Sequence, residues 1–130
     1  MRIGRHSRYW KGCGEISGSQ WKKIISDAKR RGIKFKISIR QAWLLFLKQK
    51  RRCALSGVIL CFPETRAVRY SGTASLDRIN SSKGYVRGNI QWIHKDLNRM
   101  KATFQQQTFT YWCRMVSENI DGHGKLAKSI

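Results

Sequence analysis

The sequence predicts a small α+β domain, and two observations support the prediction. The first is apolar content: 41% of the 130 residues are hydrophobic, including 5 Trp, 4 Tyr and 5 Phe, which argues against a disordered basic chain. The second is periodicity, which is helical near both ends and strand-like between them. A chain of this length builds one modest core. We expect one domain over residues 20–120, preceded by a basic flexible arm (1–19) and followed by a loose tail (121–130).

Apolar spacing predicts two helices in the first half of the domain. The first covers residues 20–31, with apolar positions at i, i+3, i+4 and i+7, and Gly32 ends it. A short extended link over 34–37 follows. Ser38 is a good capping residue for the second helix. The side chains expected to face inward are Ala42, Trp43, Phe46 and Leu47.

The second half predicts strands followed by helices. We expect strands over 58–62, 73–79 and 89–92, with a polar loop over 80–88 between the last two. A short helix over 93–101 completes a ββα unit (73–101). Thr103 and Gln106 have capping-box spacing for a last helix. Its apolar face is Phe109, Trp112, Cys113 and Val116.

The charge points to a polyanionic partner. The chain has 27 Lys+Arg against 7 Asp+Glu, a net charge of +20, and nucleic acid is the expected partner because neutralised phosphates release counterions. A solubilising surface and an anionic membrane are the alternatives. No apolar run is long enough to span a membrane and no secretory signal is recognisable, so a cytoplasmic protein is expected. The cations around the first helix are expected to contact phosphates: Lys22, Lys23, Lys29, Arg30 and Arg31.

Two polar residues in the ββα unit suggest a metal site. Asp77 lies in an otherwise apolar strand, and Asn98 lies in the helix expected to pack on that strand. If the two elements pack together, both side chains offer oxygen to one hard cation such as Mg²⁺. In the alternative interpretation, Asp77 pairs with Arg78 or Arg99 and Asn98 makes only local hydrogen bonds.

The segment SLDRINSSKGYVRGNIQWIHKDLNRMK resembles the ββα-metal finger of HNH-type (His-Me finger) endonucleases. It is similar to the phage and mobile-element branch of that family, which carries L-D-R, G-Y, G-N and N-x-x-K. A rare-cutting restriction enzyme of the family is also similar here, though not in its zinc ligands. The upstream segments AKRRGIKFKISIRQAW and CALSG resemble the helical lead-in of small phage homing endonucleases of the family.

The resemblance implies a role for each matching residue. Asp77 and Asn98 take the positions of the two metal ligands, for Mg²⁺ or Mn²⁺. Asn89 takes the middle Asn, which ties the loop to the strand. Lys101 takes the position of a Lys that meets the DNA backbone. The remaining DNA contacts expected from the finger are Arg78, Lys83 and Arg87.

The chain departs from the family pattern at the general base. Arg78 stands where many members have a His, and a guanidinium cannot take a proton from water. It can hold a phosphate and offset charge in the transition state. The proton then leaves through another group, through solvent or through water on the cation. Tyr85 is the first candidate for that group and His94 the second.

A second departure concerns zinc. The four cysteines form no CxxC pair, which suggests free thiols. Members with two CxxC pairs brace the finger with zinc, but here those positions are Cys53, Ser56, His94 and Leu97. We therefore expect no structural zinc, with apolar packing by Trp92, Leu97 and Met100 in its place.

The resemblance thus implies a metal-dependent endonuclease of phage or mobile-element type that acts on double-stranded DNA. One alternative is a DNA-binding module that kept the finger and lost its chemistry. The other is a small basic RNA-binding protein of the ribosomal kind. The recognition sequence, nicking versus double-strand cutting, and monomer versus homodimer are left open.

Overall fold

A computed structural model describes residues 11–63 and 72–122 of the chain. Within these residues there are four helices and two strands, which confirms the α+β prediction. In chain order they are α1 (Gly18–Arg30), α2 (Ile39–Lys48), β1 (Ala74–Arg78), β2 (Ile90–His94), α3 (Lys95–Lys101) and α4 (Gln106–Asp121). None of the described helices has the length and apolar character needed to cross a bilayer.

The two strands form an antiparallel hairpin, and α3 packs against both of them. Asp77 lies opposite Gln91 in the register, and Ala74 lies opposite His94 at the other end. The predicted strand–loop–strand–helix unit is therefore present. Its helix begins two residues later than expected, because His94 still has extended backbone and accepts a hydrogen bond from Asp96 N at its own Nδ1.

Both N-terminal helices begin at side-chain caps. Ser17 accepts a hydrogen bond from Gln20 N at the start of α1. At the start of α2, Ser38 accepts from Gln41 N while Gln41 Oε1 accepts from Ser38 N, which satisfies two backbone donors reciprocally. Gly32, at φ +68°, follows the end of α1 as expected.

The core joins the N-terminal helices to the hairpin through aromatic side chains. Phe46 of α2, Phe62 and Trp92 of β2 are buried, with ring centroids 4.7 Å apart for Phe46–Phe62 and 5.1 Å for Phe62–Trp92. Trp92 Nε1 donates to the Ala42 carbonyl at 2.8 Å, so this buried indole is satisfied. The helices therefore fix the position of β2 from one side.

The flexible-arm prediction is wrong at its C-terminal end. Residues 1–10 and 123–130 lie outside the described residues, but 11–19 are ordered against the core. Ile16 is fully buried and its backbone bonds twice with Cys13. This segment has no helical or strand periodicity, so no sequence pattern indicated that Ile16 is buried.

Residues 58–62 do not form the predicted strand. Leu60 and Phe62 are buried, but the backbone folds into a tight loop in which Cys53 N donates to Val58 O and Leu60 N to Arg51 O. A short apolar run indicates burial and does not by itself indicate a pairing partner.

The start of α4 also differs from the prediction. Gln105 is its N-cap and makes no side-chain capping bond, so Thr103 and Gln106 do not form a capping box. Within the predicted inward face of α2, Leu47 is 41% exposed. The expected apolar replacement for zinc is partial: Trp92 is buried and Leu97 packs on the core, but Met100 is 59% exposed.

Candidate active site

Asp77 is the buried acidic centre of the ββα unit. It is 5% exposed, and its Oδ2 accepts hydrogen bonds from Lys101 Nζ at 2.8 Å and Gln91 Nε2 at 2.9 Å. Gln91 is placed by the strand register, and Lys101 by the last turn of α3. Among the described residues, no hydrogen bond reaches the other carboxylate oxygen, Oδ1. Asp77 is thus held through one oxygen and has the second available.

Asn98 lies on the same side of β1 as Asp77. Its Nδ2 donates to Ser75 Oγ at 2.6 Å and to the Leu76 carbonyl at 3.4 Å. A backbone carbonyl accepts only from the amide nitrogen, so this contact turns Oδ1 of Asn98 away from the strand. Within the described part of the chain, that oxygen has no hydrogen-bond donor either.

These two oxygens are of the types that bind a hard divalent cation. A carboxylate and a carboxamide oxygen, one from a strand and one from the helix packed on it, are the donor types that Mg²⁺ prefers, with water completing the shell. No group of three His, Cys, Asp or Glu side chains gathers in the described ranges, so Asp77 and Asn98 are not part of a larger cluster of such side chains there. The donor set suits magnesium or manganese.

Lys101 lies differently from the expectation. We expected it to reach the DNA backbone, but its side chain is fully buried, and Nζ donates to Asp77 Oδ2 at 2.8 Å and to the Arg78 carbonyl at 2.7 Å. The sequence-based alternative paired Asp77 with Arg78 or Arg99. The structure shows an ion pair with Lys101 instead, while Arg99 faces Asp96 at the surface.

Arg78 braces the loop between the strands. Its Nη1 donates to the carbonyls of Ser81 at 2.7 Å and Lys83 at 3.0 Å, and its guanidinium lies 5.5 Å from the ring centre of Tyr85. These partners differ from those of Asp77, as the alternation of side chains along a strand requires. Nη1 is therefore occupied, and we find no hydrogen bond from Nε or Nη2 to any described residue.

Tyr85 is a core residue in this structure. It is 8% exposed, and its ring lies 5.3 Å from that of Phe35. Tyr85 N donates to Lys34 O, and its carbonyl accepts from Lys36 N. Gly84 permits this close approach, because a Cβ there would lie 2.6 Å from Lys34 O. A loop held in this way does not swing over a cation, so the expectation for Tyr85 does not fit this geometry.

His94 lies at the far end of the hairpin from Asp77. The register separates Asp77's partner, Gln91, from His94 by three residues, about 10 Å along a strand. The His94 imidazole accepts from Asp96 N at 3.1 Å and stays beside the start of α3. No side-chain hydrogen bond among the described residues joins the His94 imidazole to Asp77 or Asn98.

Asn89 holds the loop closed. Its Oδ1 accepts from Asn80 N at 2.9 Å, and its Nδ2 donates to the carbonyls of Asn80 at 3.1 Å and Gly84 at 2.9 Å. Gly88 supplies the preceding turn at φ +86°, a conformation that favours glycine. The loop thus has a defined shape next to the end of β1.

Three of the four zinc-type positions come together, but they do not supply a four-ligand set. Cys53 Sγ accepts from Ser56 N at 3.3 Å and from His94 N at 3.4 Å. Burial raises the pKa of the Cys53 thiol, but hydrogen bonds from Ser56, His94 and Leu55 outweigh it and hold the pKa below the ordinary value of 9.0. Ser56 and Leu97 supply no sulfur or imidazole to complete a zinc site.

Exposed Lys and Arg side chains lie on α1 and on the β1–β2 loop. The sequence-predicted residues of α1 and the loop all lie at the surface: Lys22, Lys23, Lys29, Arg30, Arg31, Lys83 and Arg87. The backbone pairing of Tyr85 with the link after α1 brings the loop next to that helix's C-terminal side. Arg30 also pairs with Asp27 at 2.9 Å, and this hydrogen bond lowers the pKa of Asp27.

Gln91 is a site residue that the sequence analysis missed. It joins Asp77 Oδ2 to Gln106 Oε1, which it contacts at 2.6 Å, and so connects β1 to the first turn of α4. The signal was available: Gln91 is a polar residue in the apolar run of β2, opposite Asp77 once the register is known.

Comparison with known proteins gives one similarity of fold. The structure is similar to that of the rare-cutting HNH restriction endonuclease PacI, with a TM-score of 0.56 and 19% identity, over 80% of this chain and 78% of that one. No protein-family model and no curated protein matches the sequence. At this identity the similarity shows the fold alone, which is HNH-like.

Proposed function

We propose that this chain is a metal-dependent DNA endonuclease that hydrolyses phosphodiester bonds. The observation that carries the proposal is the pairing of Asp77 and Asn98 on one side of a ββα unit, each with one oxygen uncommitted among the described residues. The HNH-like fold supports the proposal, and so does the +20 charge. The motif pattern is typical of phage and mobile-element enzymes.

The proposed roles follow from the contacts of each side chain. Asp77 and Asn98 would hold Mg²⁺ or Mn²⁺, and a bound cation supplies Lewis-acid activation of water and charge neutralisation at phosphate. Lys101 and Gln91 hold Asp77 in place. Arg78 offers its remaining N–H groups to a phosphate oxygen.

The proton in the proposed reaction leaves to solvent. Neither Tyr85 nor His94 makes a hydrogen bond to Asp77 or Asn98, so neither is assigned as general base. Tyr85→Phe and His94→Ala are therefore expected to keep most of the cleavage activity. A loss of about 100-fold or more in either variant would assign the base to that residue.

The test is cleavage of supercoiled plasmid DNA with Mg²⁺ or Mn²⁺, with and without EDTA. Asn98→Ala, and Asp77→Asn combined with Lys101→Met so that no buried charge is left unpaired, are each expected to lower the rate by at least about 100-fold, because one of few cation ligands is lost. DNA affinity should stay nearly unchanged, since distant cations supply it. Asp96→Asn, an exposed acidic residue on α3, is the matched control and should cut normally.

A second candidate function is DNA binding without cleavage. It is favoured by one observation, the buried ammonium of Lys101 on the Asp77 carboxylate, which already balances that charge without a metal. In that case the wild-type chain binds plasmid DNA and leaves it supercoiled at every divalent-cation concentration.

A further inference from the structure

Helix α4 carries an apolar stripe on its surface. Phe109, Trp112, Cys113, Val116 and Ile120 follow the i, i+3, i+4, i+7 and i+11 positions of one helix side. Only Phe109 is buried, while Trp112 is 56%, Val116 59% and Ile120 67% exposed. A stripe of this kind normally packs against another element, and no described element covers it beyond its first turns.

The stripe continues beyond the helix. Met100 and Phe104, from the end of α3 and the link that follows, are 59% and 52% exposed and line the same groove as Trp112 and Val116. With roughly 150–250 Å² for each aromatic side chain, the exposed face is on the order of 500 Å² per chain. Two such faces together bury about 1,000 Å², the lower limit for a specific interface.

Charge separates this face from the DNA-binding surface. Among the described helices, α4 is the one without net positive charge: it holds Arg114 against Glu118 and Asp121. A polyanion gains little from an apolar face on such a helix. Copies of a chain with net charge +20 repel each other least where the local charge is slightly negative. The favoured occupant is therefore a second copy of this chain.

We propose that the chain forms a two-fold symmetric dimer through the apolar face of α4. In such an interface the same patch meets itself. With the two-fold axis perpendicular to α4, the two helices run antiparallel, with Cys113 and Val116 near the axis. The basic surfaces of α1 and the β1–β2 loop stay exposed in both copies.

The dimer contact lies at the end of a hydrogen-bonded chain to the candidate active site. Gln106, in the first turn of α4, contacts Gln91, which in turn donates to Asp77. Dimerisation through α4 would therefore restrain the helix to which Asp77 is hydrogen-bonded through Gln91. The dimer also holds two copies of the Asp77–Asn98 site.

Sedimentation velocity on the full chain tests the proposal. Between about 1 and 100 µM, in salt high enough to screen the charges, the mass is expected to rise from 15.2 kDa to twice that value. Val116→Glu should raise the dimer dissociation constant at least about 10-fold. Gln107→Glu, an exposed position on the opposite side of α4, adds the same charge and should leave dimerisation unchanged.

Cross-linking gives a second measurement on the unaltered fold. A short bis-maleimide should join two wild-type chains through Cys113, which is exposed on the stripe. Cys113→Ser should lose this product, and Cys13→Ser should keep it. A mass of one chain at every concentration, or a dimer that Val116→Glu does not weaken, overturns the proposal. Cleavage is measured in a separate assay. A failure of the dimer proposal therefore does not affect the test of the proposed endonuclease function.

Discussion

At the scale of single residues, the ion pair between Lys101 and Asp77 dominates the candidate site. Both side chains are almost completely buried, so each loses hydration that their mutual attraction alone does not recover. The additional bonds from Lys101 Nζ to the Arg78 carbonyl and from Gln91 to Asp77 supply the remaining compensation. Removing either partner leaves an uncompensated buried charge.

Lys101→Met is therefore expected to destabilise the fold by about 3–5 kcal/mol, because Asp77 loses its counter-charge. Urea unfolding followed by tryptophan fluorescence measures the difference. The double variant Asp77→Asn with Lys101→Met should be less unstable than the sum of the two single changes. Arg99→Met removes an exposed cation from the same helix and should cost no more than about 1 kcal/mol. Simple additivity of the two buried changes would refute the coupling.

Cys53 gives a pH-dependent prediction. Hydrogen bonds lower its pKa in the folded chain below 9.0 despite burial. A depressed folded-state pKa stabilises the fold fully above the unfolded pKa, and this contribution is lost as pH falls through the folded value. The stability of the wild type relative to Cys53→Ala should thus rise as the pH increases towards 9.0. Urea unfolding under reducing conditions measures it, and a constant or falling difference contradicts the assignment.

At the scale of elements, the loop between β1 and β2 sets the shape of the site. Asn89 satisfies three backbone groups of the loop, and Arg78 satisfies two more carbonyls. The loop backbone is also paired with the link after α1. These bonds hold the end of β1, where Asp77 lies, against the N-terminal half of the domain.

Asn89→Ala is expected to cost about 1–3 kcal/mol, because it leaves buried backbone groups of Asn80 and Gly84 without partners. Thermal unfolding gives the stability change, and the plasmid assay gives the accompanying loss of activity. Lys83→Ala, in the same loop but with an exposed side chain, should change stability by less than about 0.5 kcal/mol. Equal effects of the two substitutions would mean that the Asn89 side chain does not hold the loop.

At the scale of the whole molecule, the described surface has a basic part and a slightly acidic, apolar part. Exposed cations follow α1 and the β1–β2 loop, whereas α4 is slightly acidic and apolar. DNA held by the first surface would depend strongly on salt, because each neutralised phosphate releases a counterion.

If five to eight phosphates are neutralised, a plot of log K against log[salt] should have a slope of about −5 to −7. Replacing Lys22, Lys23, Arg30 and Arg31 together by Gln should reduce that slope by roughly 3–4. Fluorescence anisotropy with a labelled duplex measures both. Arg114→Gln, on α4, is the control and should leave the slope unchanged; a slope near zero in the wild type would exclude phosphate binding as the reason for the charge.

The sequence by itself determined the features that depend on local spacing. The end of α1 at Gly32, the cap of α2, the hairpin, the polar loop and the helix that follows are coded by neighbouring residues: Ser38 three positions before Gln41, or Gly88 before Asn89. The placing of Asp77 and Asn98 on packed elements also followed from this order. The apolar run 58–62 was predicted as a strand, but only its Leu60 and Phe62 are buried, and the described residues form no strand there.

Only the tertiary structure decided which groups meet across those elements. The register places Gln91 opposite Asp77 and His94 at the far end, and a shift of one residue would reverse every side chain. The last turn of α3 directs Lys101 into the interior, where its ammonium meets a carboxylate 24 positions away in sequence. Tyr85 belongs to the core because Gly84 lets the loop approach Lys34. Such contacts depend on how distant segments pack together, and local sequence patterns do not predict that packing.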